Sequence, residues 1–276
     1  GGKLTQGGYL PDGWQSASNT VKGVKYTNSY AVWEWSPGAL AKQSDLDTFT
    51  NSFNLPQVTL SPTGTGSPGY KADGESSLDV QYITATAPGM PLLDVIYAPG
   101  TFSEVLYTAN APNRALVSSV SYGFPESKVF DYYVDENGET ASEFVKYADY
   151  QFALAAYSMG TVLIASGDTG SSGFRGPNPL PSPPNCRISP SYPAVLSHVT
   201  AVGATKLPAD ATMLQDVRDV EIPATNAYGG VTTGGGFSCY IDGPLWQDSA
   251  ATSYQNNDNY FLNKKADQSG AIGDSN

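Results

Sequence analysis

The sequence predicts an α/β fold, with a mainly parallel sheet and helices on both of its faces. Candidate strands and helices alternate along the chain, and several of the strands are continuous apolar runs, the pattern of strands buried on both faces. A further observation is positional. Gly123 and Asp168 each close an apolar strand, and functional residues of parallel sheets collect at the carboxyl ends of strands.

Residues 1–30 are rich in Gly, Ser and Asn and read as an irregular arm laid over a domain surface. "YAVWEW" (30–35) is a short apolar run and reads as a buried strand. "SDLDTFTNSFNL" (44–55) reads as a helix capped by Ser44, with Leu46, Phe49 and Phe53 at helical spacing. "QVTLS" (57–61) alternates like a strand, and 61–74 reads as a loop. "ESSLDVQYITATAP" (75–88) reads as a helix with Leu78, Tyr82 and Ala85 on one face and Pro88 after its end. "MPLLDVIYAP" (90–99) is a strand, "TFSEVLYTAN" (101–110) a short helix and "ALVSSVSYG" (115–123) a strand stopping at Gly123. Residues 139–160 form a long helix closed by Gly160. "TVLIASGD" (161–168) is a buried strand, 170–185 a Gly/Pro loop and "HVTAVGAT" (198–205) another strand. The last third is loop-rich, with one helix starting near Pro244. No internal repeat and no clear second domain stand out, so 31–276 reads as one domain body.

Composition narrows the function classes. Acidic residues outnumber basic ones, 26 to 14, for a net charge of −12. No basic patch exists to neutralise phosphates, which argues against a nucleic-acid partner. Few cations suit an acidic medium, where carboxylates discharge and Lys and Arg repel one another. No apolar run reaches the length of a membrane span. The polar start "GGKLTQGGYLPDGWQ" fits a processed form. The two cysteines, Cys186 and Cys239, allow one disulfide, two buried thiols or a bond to another chain. A disulfide suits the non-cytosolic compartment that the other features suggest.

His198 is the single histidine, which rules out a zinc site of several histidines. It precedes an apolar strand without a partner motif, as a structural or surface residue does. "TTGGGFS" (232–238) is Gly-rich but lacks a phosphate-binding pattern. The carboxylates are more informative. Glu75 and Asp79 stand one helical turn apart. They can be first-turn acids that stabilise a helix N-terminus. They can also be read as a pair in which like charge raises at least one pKa, giving a general acid/base without histidine. Asp168 can be a turn residue, or a separate protonated acid that donates to a developing oxyanion.

Five blocks, in this order, resemble the sedolisins, the serine-carboxyl peptidases: "GESSLDVQYITATAPG", "VSSVSYGFPE", "VLIASGDTGSSG", "YPAVLSHVTAVGAT" and "TGGGFS". The resemblance runs from about Tyr30 to Gln247. It implies a subtilisin-like fold and cleavage of peptide bonds at acid pH. It makes Glu75 the general base for the serine nucleophile, Asp79 the carboxylate that polarises Glu75, and Asp168 the acid of the oxyanion hole. Such a carboxylate pair stays functional in acid, where a histidine base is charged. Glu34 matches a further Glu that extends the relay in some members; its plainer reading is a strand-end surface acid. Ser121, Tyr122 and Gly123 match the segment that pairs with substrate backbone, with Tyr122 standing where members often carry Trp. Ala165, Ser166 and Gly167 match the lining of the pocket for the side chain before the scissile bond.

The family nucleophile lies in a Gly-Thr-Ser motif downstream of the Gly-Gly-Phe-Ser block, and no Gly-Thr-Ser occurs here. The resemblance therefore implies that the C-terminal part of the domain, with the serine and the calcium ligands, belongs to a second chain cleaved from the same precursor. A truncated chain and a catalytically dead peptide-binding module are the alternatives. Peptide or protein substrates, and a secreted or lysosome-like acidic location, follow from the same resemblance.

Overall fold

The computed structural model describes residues 3–5, 8–10, 19–21, 24–26, 30–34, 39–64, 71–72, 74–88, 92–97, 115–129, 140–158, 160–170, 189–206, 221–225 and 231–257. The chain forms two compact units. The first comprises Gly1–Tyr122 with Leu154–Leu163, and the second Gly123–Ala153 with Ile164–Asn276.

The first unit opens with two hairpins where an irregular arm was expected. β1 (Lys3–Thr5) pairs antiparallel with β2 (Gly8–Leu10), and β3 (Asn19–Val21) with β4 (Val24–Tyr26). Two residues separate the strands of each pair in the sequence. β5 (Tyr30–Glu34) is buried along its whole length. After the short β6 (Ala39–Leu40), α1 runs Gln43–Ser52. Ser44 is not its cap. The N-cap is Lys42, which makes no side-chain cap bond, while the Ser44 hydroxyl donates to Asp45 inside the helix. Leu46 and Thr50 are the buried face of α1, and Phe53 lies beyond its end with 61% of its surface exposed.

β7 (Thr59–Gly64) extends further than expected, into the predicted loop, and the two-residue β8 (Lys71–Ala72) follows. Next come α2 (Gly74–Thr86), β9 (Leu92–Tyr97) and β10 (Val117–Val120). β10, β5, β9 and β7 lie side by side in that order, all parallel. β5 thus has a strand on each side, and one apolar cluster joins its Tyr30 and Val32 to Leu46 of α1, Val58, and Val80 of α2. Because α2 packs into this cluster, its buried face is Ser76, Val80 and Thr84. The apolar residues expected to face inward, Leu78 and Tyr82, are 48% and 62% exposed.

In the second unit β11 (Phe124–Pro125) leads directly into a 3-10 turn over Glu126–Lys128. α3 (Ala141–Tyr157) starts with a capping box. Thr140 N and Oγ1 both donate to Glu143 Oε2, and Glu143 N donates back to Thr140 Oγ1. The helix ends with Gly160 N donating to Ala155 O at 2.9 Å. β12 (Thr161–Ala165) alternates buried and half-buried positions after an exposed Thr161. Its first residue bonds back to Leu116, ahead of β10, and Ser166, just after it, donates to Val202 of β14.

β13 (Ser191–Tyr192) pairs antiparallel with β11 and buries Tyr192 against Phe124 and Phe144. β14 (Thr200–Val202) is shorter than expected and exposed at all three residues, because it is the edge of the strand order. β15 (Thr205–Lys206) and β16 (Ile222–Pro223) form a small antiparallel pair. α4 (Asp248–Asn257), after a 3-10 turn at Leu245–Gln247, is the helix expected near Pro244. The helix expected at 101–110 lies outside the described residues. Cys239 is disulfide-bonded. Among the described residues no helix is long and apolar enough to cross a membrane.

Candidate active site

The first unit assembles a carboxylate cluster around the end of β5. Glu34 is the last residue of that strand and is 1% exposed, so it is not a surface acid. Its Oε2 accepts two hydroxyls, Ser76 Oγ at 2.8 Å and Tyr122 Oη at 2.9 Å. Burial is the main force on its pKa, which rises to about 7 despite those two donors; the charges of Asp79 and Glu75 push the same way. Asp79 is half-buried. Burial raises its pKa too, against a hydrogen bond from the Ser121 side chain. Tyr122 is held in its neutral, donating form by burial and by the charge of Glu34.

Glu75 differs from both. It lies in the first turn of α2 and is exposed, where the helix dipole favours its charge. The α2 backbone explains the arrangement. Ser76 points into the core at Glu34, Asp79 lies at the margin, and Glu75 faces outward one turn from Asp79. A single helix thus carries an exposed carboxylate, a half-buried one and the hydroxyl that ties it to a third, buried carboxylate. Glu34, Asp79, Ser121 and Tyr122 come together as one network, with Glu75 near enough for its charge to act on it. Ser76 was not anticipated from the sequence, because a search for apolar stripes passes over a buried serine.

In the second unit Asp168 follows β12, exposed, in a loop held by backbone bonds. Thr232 N donates to Asp168 O at 2.8 Å, Gly170 N to Thr232 O at 3.0 Å, and Gly234 N to Gly167 O at 2.9 Å. Glycine is needed at two of these places. Gly167 has φ of +102°, a conformation side chains disfavour. A Cβ on Gly234 would lie 1.8 Å from Ser166 O. Gly123 also belongs here. Its Cβ would meet Ser191 Oγ at 2.6 Å, and one on Gly167 would meet Ser191 Cβ at 3.1 Å. Ser191 therefore sits against both glycines, while Ala165 and Ser166 are half-buried beside them. Of the predicted residues, this unit gathers Gly123, Ala165, Ser166, Gly167 and Asp168.

Two side chains outside the sequence reading stand out here. Glu126 is 1% exposed and binds the "GGGFS" segment through Ser238 and Cys239. Asp149 accepts from Ser197 N at 2.7 Å and lies 3.7 Å from His198, which is itself 44% exposed. Among the described residues no group of three or more His, Cys, Asp or Glu side chains is arranged to hold a metal. They offer calcium no fitting donor set.

No protein-family model matches the chain. Physarolisin of Physarum polycephalum is 28% identical over 250 residues, covering 84% of this chain and 42% of the relative. Tripeptidyl-peptidase 1 of Dictyostelium discoideum is 32% identical over 225 residues, covering 76% and 31%. Among solved structures, Pseudomonas sedolisin, a serine-carboxyl proteinase complexed with two molecules of pseudo-iodotyrostatin, matches with a TM-score of 0.61 and 25% identity. The match covers 81% of this chain and 61% of that one. The chain spans less than half the length of both curated relatives.

Proposed function

The chain belongs to the sedolisin family of serine-carboxyl peptidases, and we propose that it carries the acidic machinery of an endopeptidase working at acid pH. A serine hydroxyl attacks the substrate carbonyl and gives its proton to Glu75, which Asp79 supports. Asp168, protonated, donates a hydrogen bond to the tetrahedral oxyanion. Glu75 then hands the proton to the leaving amine as the C–N bond breaks. Water attacks the acyl-enzyme with Glu75 again as base, releasing the acid product and the serine. Ser121–Gly123 pair with substrate backbone, and Ala165–Gly167 line the pocket for the residue before the cut.

The observation that carries this reading is the buried network behind Glu75. Glu34 and Asp79 both have raised pKa values, so the cluster retains protons in mild acid and lies beside an exposed carboxylate that can exchange one. A surface helix cap has no use for such a network.

The nucleophile comes from a second polypeptide of the same precursor. The second unit exposes Val202 on its edge strand, and also Phe237, Leu245, Trp246 and Tyr254, the tryptophan at 71%. Exposed large apolar groups of this kind suit a covering chain. Its calcium ligands, and an acidic secreted or lysosome-like setting, go with the same reading.

Glu75→Gln in the full-length protein tests the assignment. It should abolish acid peptidase turnover and leave the circular dichroism spectrum and unfolding midpoint unchanged. Retained turnover would remove Glu75 from the chemistry. Intact mass of the denatured native protein tests the second chain. A single polypeptide that binds peptides without cutting them would make the protein a binding module.

A further inference from the structure

We infer that Glu126 is a positioning residue, a buried carboxylate that clamps the Gly234–Ser238 segment and through it fixes the loop carrying Asp168. Glu126 stands three residues after Gly123, on a turn that is itself firmly held. Its own N–H donates to Pro190 O at 2.8 Å, and Ser127 N donates to Ser189 Oγ at 3.0 Å. The side chain points inward and uses both oxygens. Oε1 accepts from Ser238 Oγ at 2.5 Å, and Oε2 from Cys239 N at 2.8 Å.

The Ser238 hydroxyl is saturated in this arrangement. Its oxygen accepts Tyr240 N and Ile241 N, each at 3.1 Å, so its one proton is left for Glu126. A carboxylate is the acceptor that fits. A group with a hydrogen on the Ser238 side would compete with two backbone amides for the same lone pairs. The clamp therefore asks for two acceptor oxygens in a buried place; burial raises the Glu126 pKa, and the Ser238 and Cys239 donors oppose that rise.

The other end of the same segment grips the Asp168 loop. Thr232, Thr233 and Gly234 lie against Ser166–Gly170, joined by the three backbone bonds described above and by Thr233 Oγ1 at 3.5 Å from Ser166 Oγ. Gly234 is in close contact with Ser166 and leaves no space to slide. Residues 232–241 are thus a short strap with one end on Asp168's loop and the other on Glu126. The strap's link to substrate rests on the peptidase reading; the clamp itself does not.

The experiment uses the full-length protein with Glu126→Gln, Ser238→Ala and Ser238→Thr, read by amide hydrogen exchange and by kinetics on a peptide substrate at acid pH. Glu126→Gln and Ser238→Ala should speed exchange at Cys239, Tyr240 and Ile241 by about tenfold or more, the scale of one charge-assisted hydrogen bond. The acceleration should spread to Thr232 and Gly234, and exchange in β5 and α2 should stay as in wild type. On the peptidase reading kcat should fall by about tenfold, because the loop that carries Asp168 loses its fixed place, and KM should rise as the wall at Ser166 and Gly167 shifts. Ser238→Thr, which keeps the hydroxyl, should restore wild-type exchange. Unchanged exchange at Thr232 and Gly234 would overturn the clamp, as would an equal acceleration throughout both units. If Glu126→Gln does not fold, the two Ser238 variants decide the matter. If wild type has no peptidase activity, the function reading fails on the kinetics, and exchange still decides the clamp.

Discussion

The carboxylate cluster of the first unit and the Asp168 loop of the second are both built to handle protons and charge, but by opposite means. The first relies on side chains. Glu34 is sealed inside, two hydroxyls share one of its oxygens, and burial lifts its pKa to about 7. The second relies on backbone. Asp168 is exposed, and its position is set by main-chain bonds from Gly170, Thr232 and Gly234. Proton affinity is tuned by removing water, which needs bulk around the acid. Placement of an exposed group is achieved by close backbone approach, which needs the absence of bulk.

The contrast can be broken at several points. The largest effect is expected at Asp168. Its change to Asn should lower kcat by about a hundredfold to a thousandfold, as loss of an oxyanion donor does, with the unfolding midpoint unchanged. A kcat near wild type would make Asp168 a turn residue and no more. Gly234→Ala attacks the same loop through packing. The added methyl has Ser166 backbone in its place, and denaturant unfolding should show roughly 3 kcal/mol lost, the upper end of overpacking costs. A near-neutral result would mean that the strap is free to move away.

Glu34→Gln probes the other half, and its sign depends on pH. Glu34 titrates near 7 when folded, against an ordinary value of 4.5. The folded state therefore holds a proton over a range in which the unfolded chain has released it. That stabilisation is complete below about pH 4.5 and disappears as pH rises through 7. Glutamine cannot ionise, so at pH 8 the variant should gain about 3 kcal/mol on wild type, and at pH 4 it should not. An equal effect at both pH values would refute a raised pKa. The smallest change is Tyr122→Phe. It deletes one hydroxyl from the Glu34 carboxylate, costs about 2 kcal/mol, and should move the midpoint of the stability–pH curve upward. An unmoved midpoint would mean that the Tyr122 hydroxyl does not favour the ionised form of Glu34.

How far such features are legible in a sequence depends on how local they are. β5 and the capping box of α3 are local, an apolar run and a Thr-x-x-Glu pair, and periodicity and cap chemistry suffice to find them. Ser44 shows the limit. It resembles a cap, but the helix begins one residue earlier and needs no side-chain cap. The orientation of α2 could not be read from apolarity, because this helix puts Ser76 and Thr84 inside and Leu78 and Tyr82 outside. The burial of Glu34 depends on hydroxyls 42 and 88 residues away, so no window of sequence contains the reason for it. Spacing alone leaves Glu75, Asp79 and Asp168 open between helix-end or turn acids and catalytic ones, and it is the order of blocks resembling a family that gives them definite roles. The clamp of Glu126 on the strap needed coordinates, since Glu126 and Cys239 lie more than a hundred residues apart in the chain.

The exposed edge at β14 also has a bearing on handling. At neutral pH a net charge of −12 keeps molecules apart. Near the isoelectric point of about 4.3 that repulsion is gone. A bare three-residue edge strand and an exposed Trp246 then meet their copies without an electrostatic barrier, and edge strands are templates for pairing between chains. The colloidal minimum of the isolated chain thus falls in the acid range where the carboxylates are proposed to work, and light scattering across pH 3–7 should peak there.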